Sequence, residues 1–283
     1  MFTALSMPAD WAHISANGVP YHDPVIGPRL AELQCRDDSE VAGRSAAAVR
    51  RELNWLGLTG DERIFHPCCG PGTYAREIAN GTGCRRYLGV DINPAAIAAA
   101  TRRCTDRRCR FQLGAFGTDS AVPAHDLCLL SYELINQFAP PALVATLGHI
   151  AAGLAPGGRV FADVRTRAGS GMHPVDSRSS HYPAGTGIFL HDEHDVEFQA
   201  RFAAEGRLYL QRFRITRDDG TGREFYSWLW LYDQDEVARA AASAGLDLAA
   251  AAHVHAGTDM RPPSAAGSIQ LVFVKKRKGA RPC

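Results

Sequence analysis

Five short apolar runs, at 63–65, 87–90, 110–113, 126–131 and 158–164, are spaced along the chain, and helix-patterned stretches at 74–79, 94–103 and 141–154 fall between them. Strands interleaved with helices in this way pair in parallel, because a parallel return to the same sheet needs a crossover of about a dozen residues, usually a helix. Pro94 stands in the first turn of the second helix, where its missing N–H would be unpaired in any case. The order predicts a doubly wound α/β sheet.

The pattern changes after the fifth run. Residues 165–187 are rich in Gly, Ser, Pro and His and are expected to form a mobile lid. Runs at 207–216 and 223–231 flank Asp218-Asp219-Gly220-Thr221-Gly222 and predict an inserted antiparallel hairpin. An amphipathic helix at 235–244, stopped by Gly245, and two strands at 246–253 and 268–274 bring the expected sheet to seven strands, mostly parallel. Upstream, 37–55 carries Val41, Ala48, Val49 and Leu53 at helical spacing, with Ser39 as the candidate cap. The expected organisation is therefore an N-terminal helical cap over 1–57 and a main domain over 58–283, with the lid and hairpin inserted at about 165–232.

Thirty-one basic and thirty acidic residues leave a net charge of +1, too balanced for a phosphate-neutralising surface, so no nucleic-acid partner is expected. No window reaches the roughly 18 apolar residues of a membrane span, and Met1 to Asp23 lacks a basic start followed by an apolar run, so the expectation is a cytoplasmic protein with no membrane partner. The eight cysteines show no C-x-x-C spacing and are expected to be reduced thiols, with no metal bound.

In an open parallel sheet, ligands bind beyond the carboxyl ends of the strands, and the first strand-to-helix turn is the usual contact. Here that turn is His66-Pro67-Cys68-Cys69-Gly70-Pro71-Gly72-Thr73-Tyr74. Gly70 and Gly72 lack a β-carbon, so the backbone can come close to a ligand. Asp91 follows Gly72 by 19 residues at the end of the second strand, where a carboxylate can accept both hydroxyls of a ribose. The turn lacks the full G-x-G-x-x-G pattern and has no lysine for a triphosphate, so a nucleoside is expected rather than a dinucleotide.

At this point the sequence resembles the class I, Rossmann-like S-adenosylmethionine-dependent methyltransferases of small-molecule type. The resemblance rests on Cys69-Gly70-Pro71-Gly72-Thr73-Tyr74, Gly89-Val90-Asp91-Ile92-Asn93-Pro94, the run at 126–131 and the Pro156-Gly157-Gly158 approach to the fifth strand, and it spans about 58–274. It implies S-adenosyl-L-methionine as cofactor, with Gly70 and Gly72 beneath the methionine part, Asp91 on the ribose, Ile92 over the adenine, and Ala115 and Phe116 on the other adenine face. His66, Cys68, Cys69 and Ser131 complete the expected cofactor contacts. Three positions depart from the family pattern. His66 stands where an acidic residue is usual, Cys68 where the first glycine is usual, and Ala115 where an Asp often meets the adenine amino group.

Methyl transfer from a sulfonium needs proximity, alignment and, for some acceptors, a base. Tyr132, Glu133, Asn136 and Gln137 follow the fourth strand, and Asn136 is the preferred polar contact. Tyr21 resembles an aromatic that lies over the sulfonium in related enzymes, where a ring face stabilises the cation. Tyr182 is the third catalytic candidate, on the expected lid beside His173, His181, His191 and His194. The expected activity is methylation of a small molecule at an unresolved N, O or C atom. Two alternatives stand beside it: cyclisation of S-adenosylmethionine to azetidine-2-carboxylate with release of methylthioadenosine, and a non-catalytic cofactor-binding scaffold.

Overall fold

A computed structural model describes residues 8–36, 44–117, 120–167, 171–253 and 268–276. Among the described residues three helices precede the first strand: α1 (Trp11–Ala16), α2 (Ile26–Cys35) and α3 (Ala46–Leu56). One helix was expected there, with Ser39 as its cap. Ser39 lies outside the described residues, and α3 is capped instead by Ser45, whose side chain accepts from the Ala48 N–H; it ends at Gly57 in the left-handed conformation.

The main sheet then builds through β1 (Arg63–Pro67), α4 (Thr73–Asn80), β2 (Arg86–Asp91), α5 (Pro94–Arg103), β3 (Cys109–Leu113), β4 (His125–Leu130), α6 (Pro140–Gly153) and β5 (Leu154–Arg165). A second sheet follows from β6 (Val175–Tyr182), β7 (His194–Ala203), β8 (Leu208–Thr216) and β9 (Gly222–Trp230). The chain returns through α7 (Gln234–Ser243) to β10 (Leu246–His253) and β11 (Ser268–Lys275). The order across the main sheet is β10-β11-β5-β4-β1-β2-β3, and β11 alone runs against its neighbours β5 and β10. Seven strands, mostly parallel, stand as the spacing predicted. The order reverses between β1 and β4, so the crevice for a ligand opens where those two strands end.

The second sheet corrects the lid expectation. β8 and β9 form the expected hairpin, closed by the Arg217 N–H on the Thr221 carbonyl. They are, however, half of a four-stranded antiparallel sheet, because residues 175–182 form the edge strand β6 and 194–203 the strand β7. Val175–Tyr182 reads Val-Asp-Ser-Arg-Ser-Ser-His-Tyr and is mostly exposed, so an edge strand with few apolar residues shows none of the alternation that marks a half-buried one.

Helices cover both faces of the main sheet. Val49, Leu53, Tyr74 and Ile78 of α3 and α4 pack on Ile64, Leu127 and Phe161, while α6 and α7 pack on Phe65, Cys128 and Val160 from the other side. The second core extends into the antiparallel sheet through Leu208, Leu210 and Trp230, and Trp11 of α1 meets Trp228 edge-on at 5.2 Å between centroids. The segment after α1 lines up beside β9: the Val19 N–H donates to the Tyr226 carbonyl and the Tyr226 N–H to the Asn17 carbonyl. Among the described residues no helix is long and apolar enough to cross a membrane.

Candidate functional site

The turn between β1 and α4 passes through the left-handed region three times in five residues, at Cys68 (φ 53°), Gly70 (54°) and Gly72 (76°). Cys68 adopts this conformation although it has a β-carbon, which costs about 1–2 kcal/mol. It thus stands strained at the position where the family pattern has glycine. A β-carbon at Gly70 would meet only the Gln34 side-chain oxygen, at 3.6 Å, so this glycine leaves the mouth of the turn open. At Gly72 a β-carbon would lie 2.9 Å from the Ala100 β-carbon, so this glycine allows the close approach of α4 to α5.

Asp91 closes the other side of the mouth. Its Oδ2 accepts from the Gly70 N–H at 2.8 Å and its Oδ1 from the Asn93 N–H at 2.9 Å. Each oxygen keeps a second lone pair. Burial outweighs these two bonds and raises the carboxyl above its ordinary range. Ile92 beside it is 41 % exposed, an apolar surface next to a carboxylate. Tyr21 is 46 % exposed and lies near both Cys68 and Asp91; burial of its hydroxyl and then these two groups raise its pKa.

The two thiols of the turn, Cys68 and Cys69, are held protonated at neutral pH. Cys68 opens to solvent at the turn, yet the protein around its sulfur, with help from Asp91, pushes the thiol up to about 12. Cys69 is buried over Gly89, where an added β-carbon would fall 2.7 Å from its sulfur, and burial raises its pKa well above the usual value. Cys69 therefore packs the turn after β1 on β2, its sulfur also donating to the Gly70 carbonyl at 3.6 Å.

His66 also differs from its expected role. It is fully buried, with Nδ1 sharing a hydrogen bond with the Tyr87 hydroxyl at 2.6 Å and Nε2 one with Ser131 Oγ at 2.8 Å. Both ring nitrogens are thus committed inside the protein, and burial lowers the pKa to about 3, so the ring is neutral. His66 ties β1 to Tyr87 near the start of β2 and to Ser131 just after β4. Ser131 is buried with it. Ala115 is exposed beyond β3, and Phe116 is half-buried edge-on to Phe65 at 6.0 Å.

Asn136 corrects the sequence reading. It is fully buried, its Nδ2 donates to the carbonyls of Arg165 and Trp230, and its Oδ1 accepts from the Arg165 N–H. The amide is used up in joining the 3-10 turn Leu134–Gln137 to the ends of β5 and β9, so it is a structural strut. Tyr182 stacks on His194 with centroids 5.4 Å apart, in an apolar cluster with Ile26, Leu30 and Phe189. No contact among the described residues brings it to the turn.

Arg44, Glu52 and Asp163 had no signal in the sequence, whereas Tyr132 and Glu133 stood among the residues following the fourth strand. Arg44 donates to Glu52 at 2.7 Å and to the Tyr74 hydroxyl at 2.9 Å, pairs with Asp163, and lies over the Tyr132 ring. Tyr132 and Glu133 both have positive φ, at 58° and 57°, immediately after β4. The Glu133 N–H donates to Asp163 Oδ1 and its carboxylate accepts from Arg165 and Ser268. Strained non-glycine backbone at the end of a strand facing the crevice is a mark of a functional region. Asn93 does have a local signal, an Asn just before the Pro that opens a helix.

A cavity of about 380 Å³ lies elsewhere, between α1 and the antiparallel sheet, with Asp10, Gln199, Arg201, Arg212 and Tyr226 in its wall. None of the residues at the glycine turn lines it. Among the described residues no cluster of His, Cys, Asp or Glu is arranged to hold a metal ion.

With this geometry in hand, residues 64–158 match the family model of a methyltransferase domain. The chain is similar in fold to the CcbJ methyltransferase of Streptomyces caelestis, at 14 % identity over 89 % of this chain and 98 % of that one, with a TM-score of 0.64. The sugar N-methyltransferase KedS8 of Streptoalloteichus is 18 % identical over 98 % of this chain and 99 % of its own, with a TM-score of 0.57. CalS10, an amino pentose methyltransferase of Micromonospora echinaspora whose structure has S-adenosylmethionine bound, gives 17 %, 98 %, 100 % and 0.50. A search of curated proteins gives no significant match.

Proposed function

From a chain whose residues 64–158 match the family model of a methyltransferase domain, we propose an enzyme that uses S-adenosyl-L-methionine to methylate a small molecule. The observation that carries this reading is the mouth between Gly70 and Asp91, where the two carboxylate oxygens are held by the Gly70 and Asn93 N–H groups. The residues present fit a nucleoside. Asp91 has two lone pairs left for vicinal hydroxyls, Ile92 offers an apolar plane, and the space a Gly70 side chain would fill is open.

When bound, the cofactor would supply a sulfonium methyl group: the acceptor's lone pair would bond to the methyl carbon as the S–CH3 bond breaks with its electrons left on the sulfur of S-adenosylhomocysteine, and the acceptor's proton would pass to a base or to water. The chain's own part is positioning. Gly70 and Asp91 would fix the nucleoside, Tyr21 would present a ring edge or face beside the mouth, and Ile92 with Phe116 would hold the base. His66 does not serve the methionine amine, because both its nitrogens are engaged and it carries no charge. Its role is to hold the turn rigid, which supports precise alignment rather than proton transfer.

KedS8 and CalS10, by their names, methylate a sugar nitrogen and an amino pentose, and amino sugars are the first acceptors to try. The experiment is incubation of the purified protein with S-adenosylmethionine, alone and with a panel of amino sugars, followed by mass spectrometry. The expected result is intact cofactor in the first case and S-adenosylhomocysteine plus a product heavier by one methylene in the second. Methylthioadenosine with a cyclised amino acid, formed without acceptor, would replace methyl transfer by the intramolecular reaction.

A further inference from the structure

Asn93 does more than cap a helix. Its Oδ1 accepts from the Ala95 and Ala96 N–H groups at 3.0 and 3.3 Å, a task that Ser, Thr or Asp performs as well. Its Nδ2, a donor that only the amide has, bonds the Gly27 carbonyl of α2 at 2.8 Å, across 66 residues of sequence. The side chain is 4 % exposed, so neither arm is exchanged for water. Through its own N–H the same residue also holds Asp91 Oδ1.

Gly27 is where the N-terminal segment meets this device. A β-carbon there would fall 2.8 Å from the Tyr21 carbonyl and 2.9 Å from Asn93 Oδ1, so the approach is closer than any side chain allows. From that point α2 lies against α5 and brings Gln34 next to Gly70. At its far end Arg103 donates to the Pro71 carbonyl at 3.1 Å and reaches Cys35 Sγ at 3.4 Å. Helix α2 is therefore strapped across the mouth, tied to Asn93 at one end and to the glycine turn at the other, with Tyr21 just ahead of it.

We propose that Asn93 is a positioning residue for the cofactor: its amide N–H on Gly27 fixes α2, and so Tyr21, over the Gly70–Asp91 mouth. This rests on the S-adenosylmethionine reading. The mechanism is indirect, because the Asn93 side chain is spent on Gly27 and the α5 cap, and its effect on a bound nucleoside passes through Tyr21.

The test is a double-mutant cycle read by calorimetric titration with S-adenosylhomocysteine. Asn93→Ser keeps a cap oxygen and loses the reach to Gly27, and its melting temperature checks that the helix cap survives. Tyr21→Ala removes the ring. Each single variant is expected to weaken binding about tenfold, as the loss of one buried contact would, and the double variant to bind no more than about twofold worse than the weaker single one. Asn93→Asp, isosteric with the native side chain, is expected to bind as weakly as Asn93→Ser. Unchanged affinity in Asn93→Ser and Asn93→Asp, or penalties that multiply in the double variant, would overturn the proposal. Failure of the unaltered protein to bind is a separate result, which removes the cofactor reading itself and the proposal with it.

Discussion

His66 is a neutral imidazole wedged between two hydroxyls, and its depressed pKa has a sign that can be measured. The unfolded chain takes up a proton near the ordinary pKa of 6.5, whereas the folded chain resists protonation down to about 3. Stability is therefore full above pH 6.5 and falls as the pH drops through that window, by about 1.4 kcal/mol per unit. Urea titrations between pH 7 and 4 are expected to show a shallower fall in His66→Gln than in the unaltered protein; parallel curves would mean that the ring is not held neutral. The identity of this residue was plain in the sequence, but its role was not. A histidine at a strand end reads equally as a ligand contact or an internal tie, and only the partners Tyr87 and Ser131 decide.

Among elements, the two glycines of the turn separate in function. Gly72 sits against Ala100 where α4 crosses α5, at φ 76°. Gly72→Ala is expected to lower stability by about 1–3 kcal/mol through overpacking and strain, measured by denaturant unfolding; a loss of a few tenths would contradict the close approach. The 3-10 turn after β4 depends in the same way on Asn136, whose three buried hydrogen bonds hold β5 and β9 to it. Asn136→Ala is expected to cost roughly 2–4 kcal/mol, seen as an early thermal transition, and a variant with unchanged melting would restore Asn136 as a free polar group. Here the sequence was misleading for a physical reason. A polar residue following a strand can point to the crevice or into the seam between two sheets, and Asn136 enters the seam where the ends of β5 and β9 meet, through partners 29 and 94 residues away.

Over the whole molecule, the main sheet was legible because its central strands β1, β4, β5 and β11 carry apolar runs that are mostly buried, and Gly, Pro or a helical pattern bounds the strands. The second sheet was half legible. β8 and β9 carry Phe213, Ile215, Phe225 and Trp230 and announce a hairpin, whereas β6 carries Asp176, Ser177, Arg178 and Ser179 at an exposed edge. The three N-terminal helices were condensed to one because α1 has six residues and its packing comes from Trp11 meeting β9 far along the chain. For the site the division is similar. Gly70 and Asp91 were candidates from their spacing within one βαβ unit and Ile92 from the family resemblance, while Arg44, Asp163 and the tie from Asn93 to Gly27 join segments that no local pattern connects. The most direct measurement is calorimetric titration of S-adenosylhomocysteine into the unaltered protein and into Asp91→Ala. Binding at one site per chain that weakens at least about tenfold on loss of the carboxylate is the predicted result. Affinity unchanged by Asp91→Ala, or no binding by the unaltered protein, would contradict a nucleoside held at the Gly70–Asp91 mouth.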